Sequence, residues 1–326
     1  MSTPDAGLPA AYALGTFAAG GDRPFPGLVL DDGTVIDLSA ADPAFGSIRA
    51  TLEDWDAAVP RLDEIYERRH GAQHRLEDLT VHAPVQPDQI LQSGANYRKH
   101  VLDLAAAEGA RGDMSAEEVR AEALRVMDQR LATGEPYLFL GAPSAMCGPN
   151  DDVVLPRDGD QHDWELELAV VIGRPARHVP VDRALDYVAG YTIANDLTTR
   201  DRVYRPDMGP LGTDWMRAKN APTFLPTGPY IVPARFVKDW HDLRITLKLN
   251  GDVMQDESTA DMLYGVPELL SYASSKVALR PGDLLLTGSP AGNGAHHGRF
   301  LAEGDVMEST VTGLGSQRNR CIAERV

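Results

Sequence analysis

One stretch constrains the fold of this chain more than any other. From Asp163 to Gly173, large apolar and β-branched residues surround two glutamates, and a glycine ends the run. This composition predicts a strand. Side chains alternate along a strand, so Glu165 and Glu167 should share one face. Ala169 continues that face without a polar side chain and the opposite face is wholly apolar, so we predict that the strand is covered on both sides.

The two glutamates predict a possible metal site. They would lie about 6.6 Å apart along the strand, at the rim of a covered face. Carboxylates held so close repel each other, and a divalent cation with oxygen ligands would relieve the repulsion. Glutamates at this spacing are also common on solvated strands. The metal interpretation therefore needs a third ligand, for which Asp196, at the end of a predicted strand, is a candidate; capping a turn is its alternative role.

Charge and composition exclude several classes of function. The chain has 326 residues, of which 31 are basic and 48 acidic, and its formal net charge is -17. This charge repels nucleic acid and anionic membranes, so we expect neither as a partner. Two cysteines, Cys147 and Cys321, are too few for a disulfide framework and suit a reducing cytoplasm. Neither a signal peptide nor a membrane span is apparent, so we expect a soluble, cytoplasmic protein.

The order of the patterns predicts two domains. Residues 1–80 combine short strand candidates with an amphipathic helix from Thr51 to Arg69, which predicts a small β-rich domain. A linker with two prolines follows, and residues 81–326 would form a larger, strand-rich domain. Residues 105–135 would be a helical insertion whose helix begins with a capping box of Ser115 and Glu118. A lid, a partner surface and simple decoration all fit this insertion.

A positioned histidine is a candidate general base. His100 and Asp103 lie one turn apart on a predicted helix, so the carboxylate can orient the imidazole. Such pairs are more often found on protein surfaces. A glycine-rich loop, 288–294, has a backbone able to approach an oxyanion but matches no familiar phosphate-binding loop. His296 and His297 are adjacent and should point apart, so we favour a loop role for both.

Five motifs in order along the chain together resemble the fumarylacetoacetate hydrolase family. They are N-Y-R-K-H at 96–100, D-W-E-L-E-L-A-V-V-I-G at 163–173, N-D-L-T-T-R-D at 195–201, N-G-D-V-M-Q at 250–255 and P-G-D-L-L-L-T-G-S-P-A-G at 281–292. The match extends from about residue 90 to residue 320, roughly three quarters of the chain. Each motif is weak by itself, whereas the ordered series is specific.

The resemblance implies a fold, a cofactor and an assembly. The chain would be α+β and mostly β, with a β-sandwich roll as its catalytic domain, and would form a homodimer. Mg2+ or Mn2+ would be bound by Glu165, Glu167 and Asp196. His100 would be the family's histidine and Asp103 its acid, which is often glutamate. Because aspartate is one methylene shorter, it should reach the imidazole only when the helix closes.

The resemblance also assigns roles around the substrate. Lys219 matches the family's active-site lysine, Arg200 an arginine near the ligand, and Thr287 a threonine at the glycine-rich loop. By this analogy Lys219 and the backbone amides near Gly288 would hold an oxyanion of the substrate.

The activity implied by the family is hydrolysis of a carbon–carbon bond. The substrate would be a 1,3-dioxo or 2,4-dioxo acid of the acylpyruvate or fumarylpyruvate type, whose two oxygens chelate the cation while it stabilises the developing enolate. His100, oriented by Asp103, would take a proton from water, and the hydroxide would attack the distal carbonyl. The alternatives are a hydratase, decarboxylase or isomerase of 2-oxo acids on the same metal site, and a non-catalytic binding protein.

Three positions depart from the family pattern. Gly141 stands where the family commonly has lysine, Val203 where it has glutamine, and Pro222 where it often has aspartate. The metal ligands and the base are kept while polar groups around them are lost. We therefore predict a substrate that is less polar or bulkier than the usual small dicarboxylates.

Overall fold

Strands supply most of the regular structure in the computed structural model, which describes residues 10–109 and 115–325. In chain order the strands are β1 (Tyr12–Ala19), β2 (Phe25–Leu30), β3 (Thr34–Asp37), β4 (Gln73–Arg75), β5 (Leu79–His82), β6 (Ile90–Ser93), β7 (Leu138–Gly141), β8 (Met146–Cys147), β9 (Val153–Leu155), β10 (His162–Asp163), β11 (Leu166–Ile172), β12 (Val188–Asn195), β13 (Thr198–Thr199), β14 (Leu225–Pro226), β15 (Val232–Pro233), β16 (Arg244–Leu249), β17 (Asp252–Ser258), β18 (Leu284–Leu286), β19 (Val306–Val311) and β20 (Ser316–Ala323).

The helices are fewer and mostly short. They are α1 (Leu38–Ala41), α2 (Ile48–Glu53), α3 (Trp55–Arg68), α4 (Arg98–Gly109), α5 (Ala116–Thr133), α6 (Trp215–Lys219), α7 (Val266–Lys276) and α8 (Gly294–His297). None of these helices, within the described ranges, has the length and apolar character needed to cross a bilayer. The predicted capping box of Ser115 and Glu118 is confirmed at the start of α5. Part of the predicted insertion, residues 110–114, lies outside the described residues.

The prediction of one helix from Thr51 to Arg69 is wrong, because the structure has two. Asp54 lies between α2 and α3 with a non-helical backbone (φ -126°, ψ 49°), which interrupts the helix. The apolar stripe nevertheless serves its predicted purpose, since Leu52 and Leu62 are fully buried.

The N-terminal strands form a sheet of their own. Its order is β4-β3-β2-β1-β5, with antiparallel pairing throughout. Two hydrogen bonds join Leu14 in β1 to Ile231, which connects this sheet to the rest of the chain. The predicted boundary at residue 80 falls inside β5, and the division into two domains stays a prediction.

Two further sheets form the sandwich that the family resemblance implies. A six-stranded sheet has the order β15-β12-β11-β18-β6-β7, and a five-stranded sheet has the order β17-β16-β19-β20-β9. Leu168 from β11, Leu247 from β16 and Met307 from β19 belong to one buried cluster, so the two sheets share a core. The predicted α+β, mostly β class is therefore confirmed.

The central strand is β11, and it is covered on both faces as predicted. All seven of its residues are buried. Leu166, Leu168 and Val170 point into the core between the six-stranded sheet and the five-stranded sheet of the sandwich. Ala169 and Val171 belong to a second cluster that includes residues of the N-terminal sheet and its helices. The face that carries the glutamates therefore lies under the N-terminal segment, and the glutamates occupy its open end.

Candidate active site

Strand register brings the three predicted acidic ligands together. Residues Leu166 and Asn195 are paired across the antiparallel strands β11 and β12. The start of one strand therefore meets the end of the other, and the backbone N–H of Asp196 donates to the carbonyl of Glu165 (2.9 Å). One carboxylate oxygen from each of Glu165, Glu167 and Asp196 lies within 4.8 Å of the others. We refer to these three side chains as the carboxylate triad.

The triad is buried and tightly held. Glu165 is 7% exposed, and Glu167 and Asp196 are each 1% exposed. The backbone N–H of Gly288 donates to Glu167 Oε2 (2.7 Å), and Gln92 Nε2 donates to Asp196 Oδ1 (2.5 Å). These contacts fix the directions of the Glu167 and Asp196 carboxylates before any ligand binds, which reduces the reorganisation that ion binding requires.

Two cations, the buried Lys219 and the partly exposed Arg200, partly neutralise the triad. Lys219 Nζ donates to Glu165 Oε2 and to Asp196 Oδ2, each at 2.6 Å. Arg200 donates to Glu165 Oε1 (2.5 Å) and, through Nε, to Asp163 Oδ2 (2.8 Å). Burial tends to lower the pKa of Lys219, but the adjacent carboxylates outweigh burial and hold this pKa above its ordinary value. Both cations therefore stay charged.

The three acids titrate very differently. Burial tends to raise the pKa of Glu165, but the positive charges of Arg200 and Lys219 outweigh it and hold the pKa well below its ordinary value. Burial, with the charge of Asp196 next in size, raises the pKa of Glu167 well above its ordinary value. Burial also raises the pKa of Asp196 to about 6, against the effect of Lys219. The positive charges of Arg200 and Lys219 therefore offset only part of the negative charge of the triad.

The residues present fit a divalent cation. When all four buried carboxylates are ionised, those of the triad and Asp163, they exceed the charges of Arg200 and Lys219 by two. All the triad's donor atoms are carboxylate oxygens, the ligands that Mg2+ and Mn2+ prefer. A doubly charged ion would balance the cluster and remove the repulsion that raises the pKa of Glu167.

His100 lines a cavity together with Glu165 of the triad, but Asp103, its predicted partner, contacts a different histidine. The imidazole is 7% exposed, and burial lowers its pKa to about 4. Asp103 Oδ2 lies 3.4 Å from His296 Nδ1. In this conformation His296 has the position relative to Asp103 that we predicted for His100. We expected His296 to have only a loop role, whereas it lies in α8 and contacts Asp103 in α4.

Two other predicted substrate contacts differ from the structure. The Thr287 hydroxyl donates to the carbonyl of Leu168 (2.9 Å), and Thr287 does not line the cavity described below. We expected the Gly288 amide to hold an oxyanion of the substrate, whereas in the structure it donates a hydrogen bond to Glu167. Both residues follow β18, which runs beside β11, so the loop supports the triad from the neighbouring strand.

Sequence reasoning missed two residues that support these groups. Asp163 is fully buried, binds Arg200, and accepts from the backbone N–H of Gly294 (2.5 Å). Gln92 follows two apolar residues in the short buried strand β6, and a buried glutamine at this position was the available signal. Its amide reaches Asp196, which is 104 positions away in the sequence.

The structure explains one of the three departures from the family pattern. A Cβ atom at position 141 would lie 2.6 Å from Gln92 Oε1 and 2.8 Å from Gln92 Cδ. Glycine at 141 therefore gives Gln92 the space from which it reaches Asp196. Val203 and Pro222 do not line the cavity, and nothing in the described residues explains them.

A cavity of about 150 Å3 connects these groups. Its polar lining includes His100, Glu165, Arg200, Lys219 and Ser289, and its aromatic lining consists of Tyr137, Phe139 and Trp215. This volume is smaller than the roughly 300–1,000 Å3 of pockets that enclose drug-sized ligands. The cavity therefore suits a small molecule with one polar and one apolar end.

Comparison with known proteins identifies the family of this chain. The family model described as "Fumarylacetoacetate (FAA) hydrolase C-terminal" matches residues 89–322. A 2,4-didehydro-3-deoxy-L-rhamnonate hydrolase from Sphingomonas sp. (strain SKA58) is 42% identical over 300 residues, which cover 90% of this chain and 91% of the relative. The mitochondrial oxaloacetate tautomerase fahd2 of Xenopus laevis is 32% identical over 307 residues, 91% of this chain and 86% of its own.

A solved structure has the same architecture. Maleylpyruvate hydrolase from Sphingobium sp. SYK-6, in complex with manganese(II) and pyruvate, superposes with a TM-score of 0.72 at 25% identity. The alignment covers 96% of this chain and all of the other. The relatives are thus named as both hydrolases and a tautomerase, and one of them binds a divalent metal and a small 2-oxo acid.

Proposed function

The chain belongs to the fumarylacetoacetate hydrolase family, and from this premise we propose that it is a divalent-metal-dependent hydrolase of 2,4-dioxo or 1,3-dioxo acids. It would cleave the carbon–carbon bond of an acylpyruvate-type substrate. The ion, Mg2+ or Mn2+, and the homodimer that the family implies are part of the same proposal.

The observation that carries this proposal is that Glu165 of the triad, Lys219 and His100 line one small cavity, while the other two carboxylates of the triad lie within 4.8 Å of Glu165. The 42% identical relative supports the reaction class, because its name describes hydrolysis of an acid oxidised at carbons 2 and 4. The manganese-bound relative with pyruvate supports the expected product type.

Each residue would have a distinct role. The triad would hold the cation, which when bound supplies Lewis-acid stabilisation of negative charge on the substrate oxygens. His100 is neutral near pH 7, because burial lowers its pKa to about 4, so its ring can accept a proton from water. Lys219 stays charged and can donate to an oxyanion, a contact whose loss typically costs about 2.7 to 4 kcal/mol of barrier. Arg200 would hold the carboxylates of Glu165 and Asp163 in position.

The reaction balances with water as the only co-reactant. His100 takes a proton from water, and the resulting hydroxide adds to carbon 4, the carbonyl distal to the carboxylate. The bond between carbons 3 and 4 then breaks, and its electron pair passes into the enolate of the 2-oxo acid. Carbon 3 takes up the proton, which leaves one carboxylic acid and one 2-oxo acid.

A second candidate is an isomerase or decarboxylase of 2-oxo acids on the same ion. Two observations favour it: Asp103 contacts His296 instead of orienting His100, and a 32% identical relative is named an oxaloacetate tautomerase. Neither reaction consumes water, so neither needs the carboxylate to position a base for hydroxide formation.

Product analysis separates these reactions. Protein loaded with Mn2+, and the same protein treated with a chelator, would be incubated with a series of acylpyruvates and with oxaloacetate. We expect acylpyruvates to yield pyruvate and the matching carboxylic acid only with metal, as detected by mass spectrometry. Loss of carbon dioxide would indicate a decarboxylase, and keto–enol exchange without a change in mass would indicate a tautomerase; either without fragments would contradict the hydrolase proposal.

We predict that Gly141→Ala weakens metal binding. The new Cβ would collide with the Gln92 amide and displace it from Asp196. Residues that orient a metal ligand typically contribute about 10- to 100-fold to metal affinity, so the dissociation constant for Mn2+ should rise by about tenfold or more. Titration calorimetry measures this constant without requiring turnover.

A double-mutant cycle provides the control. Once Gln92→Ala has removed the amide, the methyl group at 141 has space, so adding Gly141→Ala should not weaken binding further. Additive losses in the double variant would show that the methyl group acts elsewhere. Unchanged affinity in both single variants would remove Gln92 from the description of the site.

A further inference from the structure

The aromatic side of the cavity is built as one unit. Tyr137 and Phe139 are two positions apart along the strand segment at the sheet edge, so both face the cavity side. The ring of Phe139 stacks on the indole of Trp215, with centroids 4.8 Å apart and planes inclined by 14°. Trp215 Nε1 donates to the hydroxyl of Tyr137 (2.7 Å). We call these three side chains the aromatic wall.

The wall is anchored at both ends to groups that form the reactive site. A Cβ atom at Gly94 would lie 2.7 Å from Tyr137 Cδ1, so the tyrosine ring rests on the backbone just after β6. Trp215 and Lys219 are one turn apart on α6, so both reach the cavity. The ammonium of Lys219 is 5.9 Å from the ring centroids of Phe139 and of Trp215. The wall therefore stands directly beside the triad.

The cavity lacks a free cation for a second carboxylate. Among the described lining residues the permanent cations are Arg200 and Lys219, and each already contacts two carboxylates. A carboxylate in the tail of a substrate would lose water against aromatic rings without gaining a partner, which is unfavourable. Alkyl and hydroxyalkyl C–H groups can instead pack on the rings.

We propose that the aromatic wall binds the part of the substrate beyond the cleaved bond, and selects monocarboxylic dioxo acids with an uncharged tail over dicarboxylic ones. This inference rests on the proposed function for the orientation of the substrate. It assigns specificity to Tyr137, Phe139 and Trp215, which contact the tail, separately from the groups that perform the chemistry.

The test compares two 2-oxo acids of equal length that differ only at the far end, 2-oxohexanoate with a methyl group and 2-oxoadipate with a carboxylate. Binding to the Mn2+-loaded protein would be measured by calorimetry. We expect the wild type to bind 2-oxohexanoate at least about tenfold more tightly, the size of effect that one misplaced group has in an apolar pocket. In parallel, acylpyruvates with the same two tail types would be compared by kcat/KM, and the same order is expected.

Variants of the wall should remove the preference without removing the metal. Trp215→Leu and, as a second variant, Phe139→Leu should each reduce the ratio of the two dissociation constants to less than about threefold while Mn2+ still binds. Tyr137→Arg introduces a cation at the exposed end of the wall and should shift the preference towards 2-oxoadipate. Met216→Ala is the matched control, because Met216 is the next residue on α6 but is 74% exposed and does not line the cavity.

The outcomes separate this inference from the proposed function. Equal binding of the two acids by the wild type, binding of neither, or an unchanged ratio in both leucine variants would overturn the role of the wall. A preserved preference in binding without cleavage of any acylpyruvate would overturn the hydrolase proposal and leave the wall's role supported.

Discussion

Replacing Asp196 with asparagine is expected to reduce kcat/KM by at least about 10³-fold and to abolish tight Mn2+ binding. Asparagine keeps the shape of the side chain but removes one of three charges that would hold the ion. Metal ions contribute several kcal/mol of transition-state stabilisation, and about 1.4 kcal/mol corresponds to a factor of ten in rate. Steady-state kinetics with saturating metal, together with calorimetric titration of Mn2+, would measure both effects.

The same variant should lose the metal's effect on stability. An ion present at 100 times its dissociation constant raises the free energy of unfolding by about 2.7 kcal/mol, so Mn2+ should raise the melting temperature of the wild type but not of Asp196→Asn. Asp283→Asn is the matched control, since Asp283 is also fully buried but lies at the opposite end of β18 from Gly288. Undiminished Mn2+ affinity in Asp196→Asn would refute the proposed site.

The second large effect is expected for His100→Ala. Removing a positioned general base typically costs about 10²- to 10⁴-fold in rate, and we expect hydrolysis to fall within this range. Metal binding should remain, because the imidazole is not a member of the triad. An exposed histidine, His70, provides the control substitution His70→Ala. If hydrolysis continued at the wild-type rate, the base would be a different group; if only decarboxylation or tautomerisation remained, the second candidate function would be favoured.

The pH dependence of the same histidine has a defined direction. Burial lowers its pKa from 6.5 to about 4, so the folded protein keeps the reactive neutral ring down to about pH 4. The wild-type rate should therefore rise with pH through about 4 and level off above it. Between pH 4 and 6.5 the unfolded chain binds more protons at this position than the folded one, so the free energy of unfolding falls as pH falls. His100→Ala should lack this contribution to acid sensitivity, which denaturant titrations at pH 5 and pH 7 would reveal.

Local pattern was sufficient for the central strand and for part of the site. Alternation along residues 163–173 predicted one strand with Glu165 and Glu167 on a covered face. The strand β11 begins only at Leu166, so Glu165 precedes it, but both glutamates are buried and their carboxylates lie close together. The antiparallel register of β11 and β12 brings Asp196 to them, as its position at a strand end suggested. The family resemblance added Arg200 and Lys219, which lie at the triad, although their predicted contacts with substrate stay predictions.

Contacts between elements that are far apart in the sequence could not be predicted from local pattern. The pairing of Asp103 with His296, the use of the Gly288 amide by Glu167, and the hydrogen bond of Thr287 to Leu168 all depend on how strands and helices pack. The aromatic wall is similar, since Tyr137 and Trp215 are 78 positions apart. Periodicity describes which side chains share a face of one element and contains no information about which face of another element they meet.

By itself the sequence determined the central covered strand, the acidic pair on it, the mostly β class and, through its ordered motifs, the family. The tertiary structure alone decided which donors each carboxylate accepts from, which acid lies beside which histidine, and which side chains line the cavity together with Glu165. The reason is physical: side-chain alternation is set by the local geometry of the strand, whereas hydrogen-bond partners and cavity walls are set by the packing of segments that the chain brings together only when it folds.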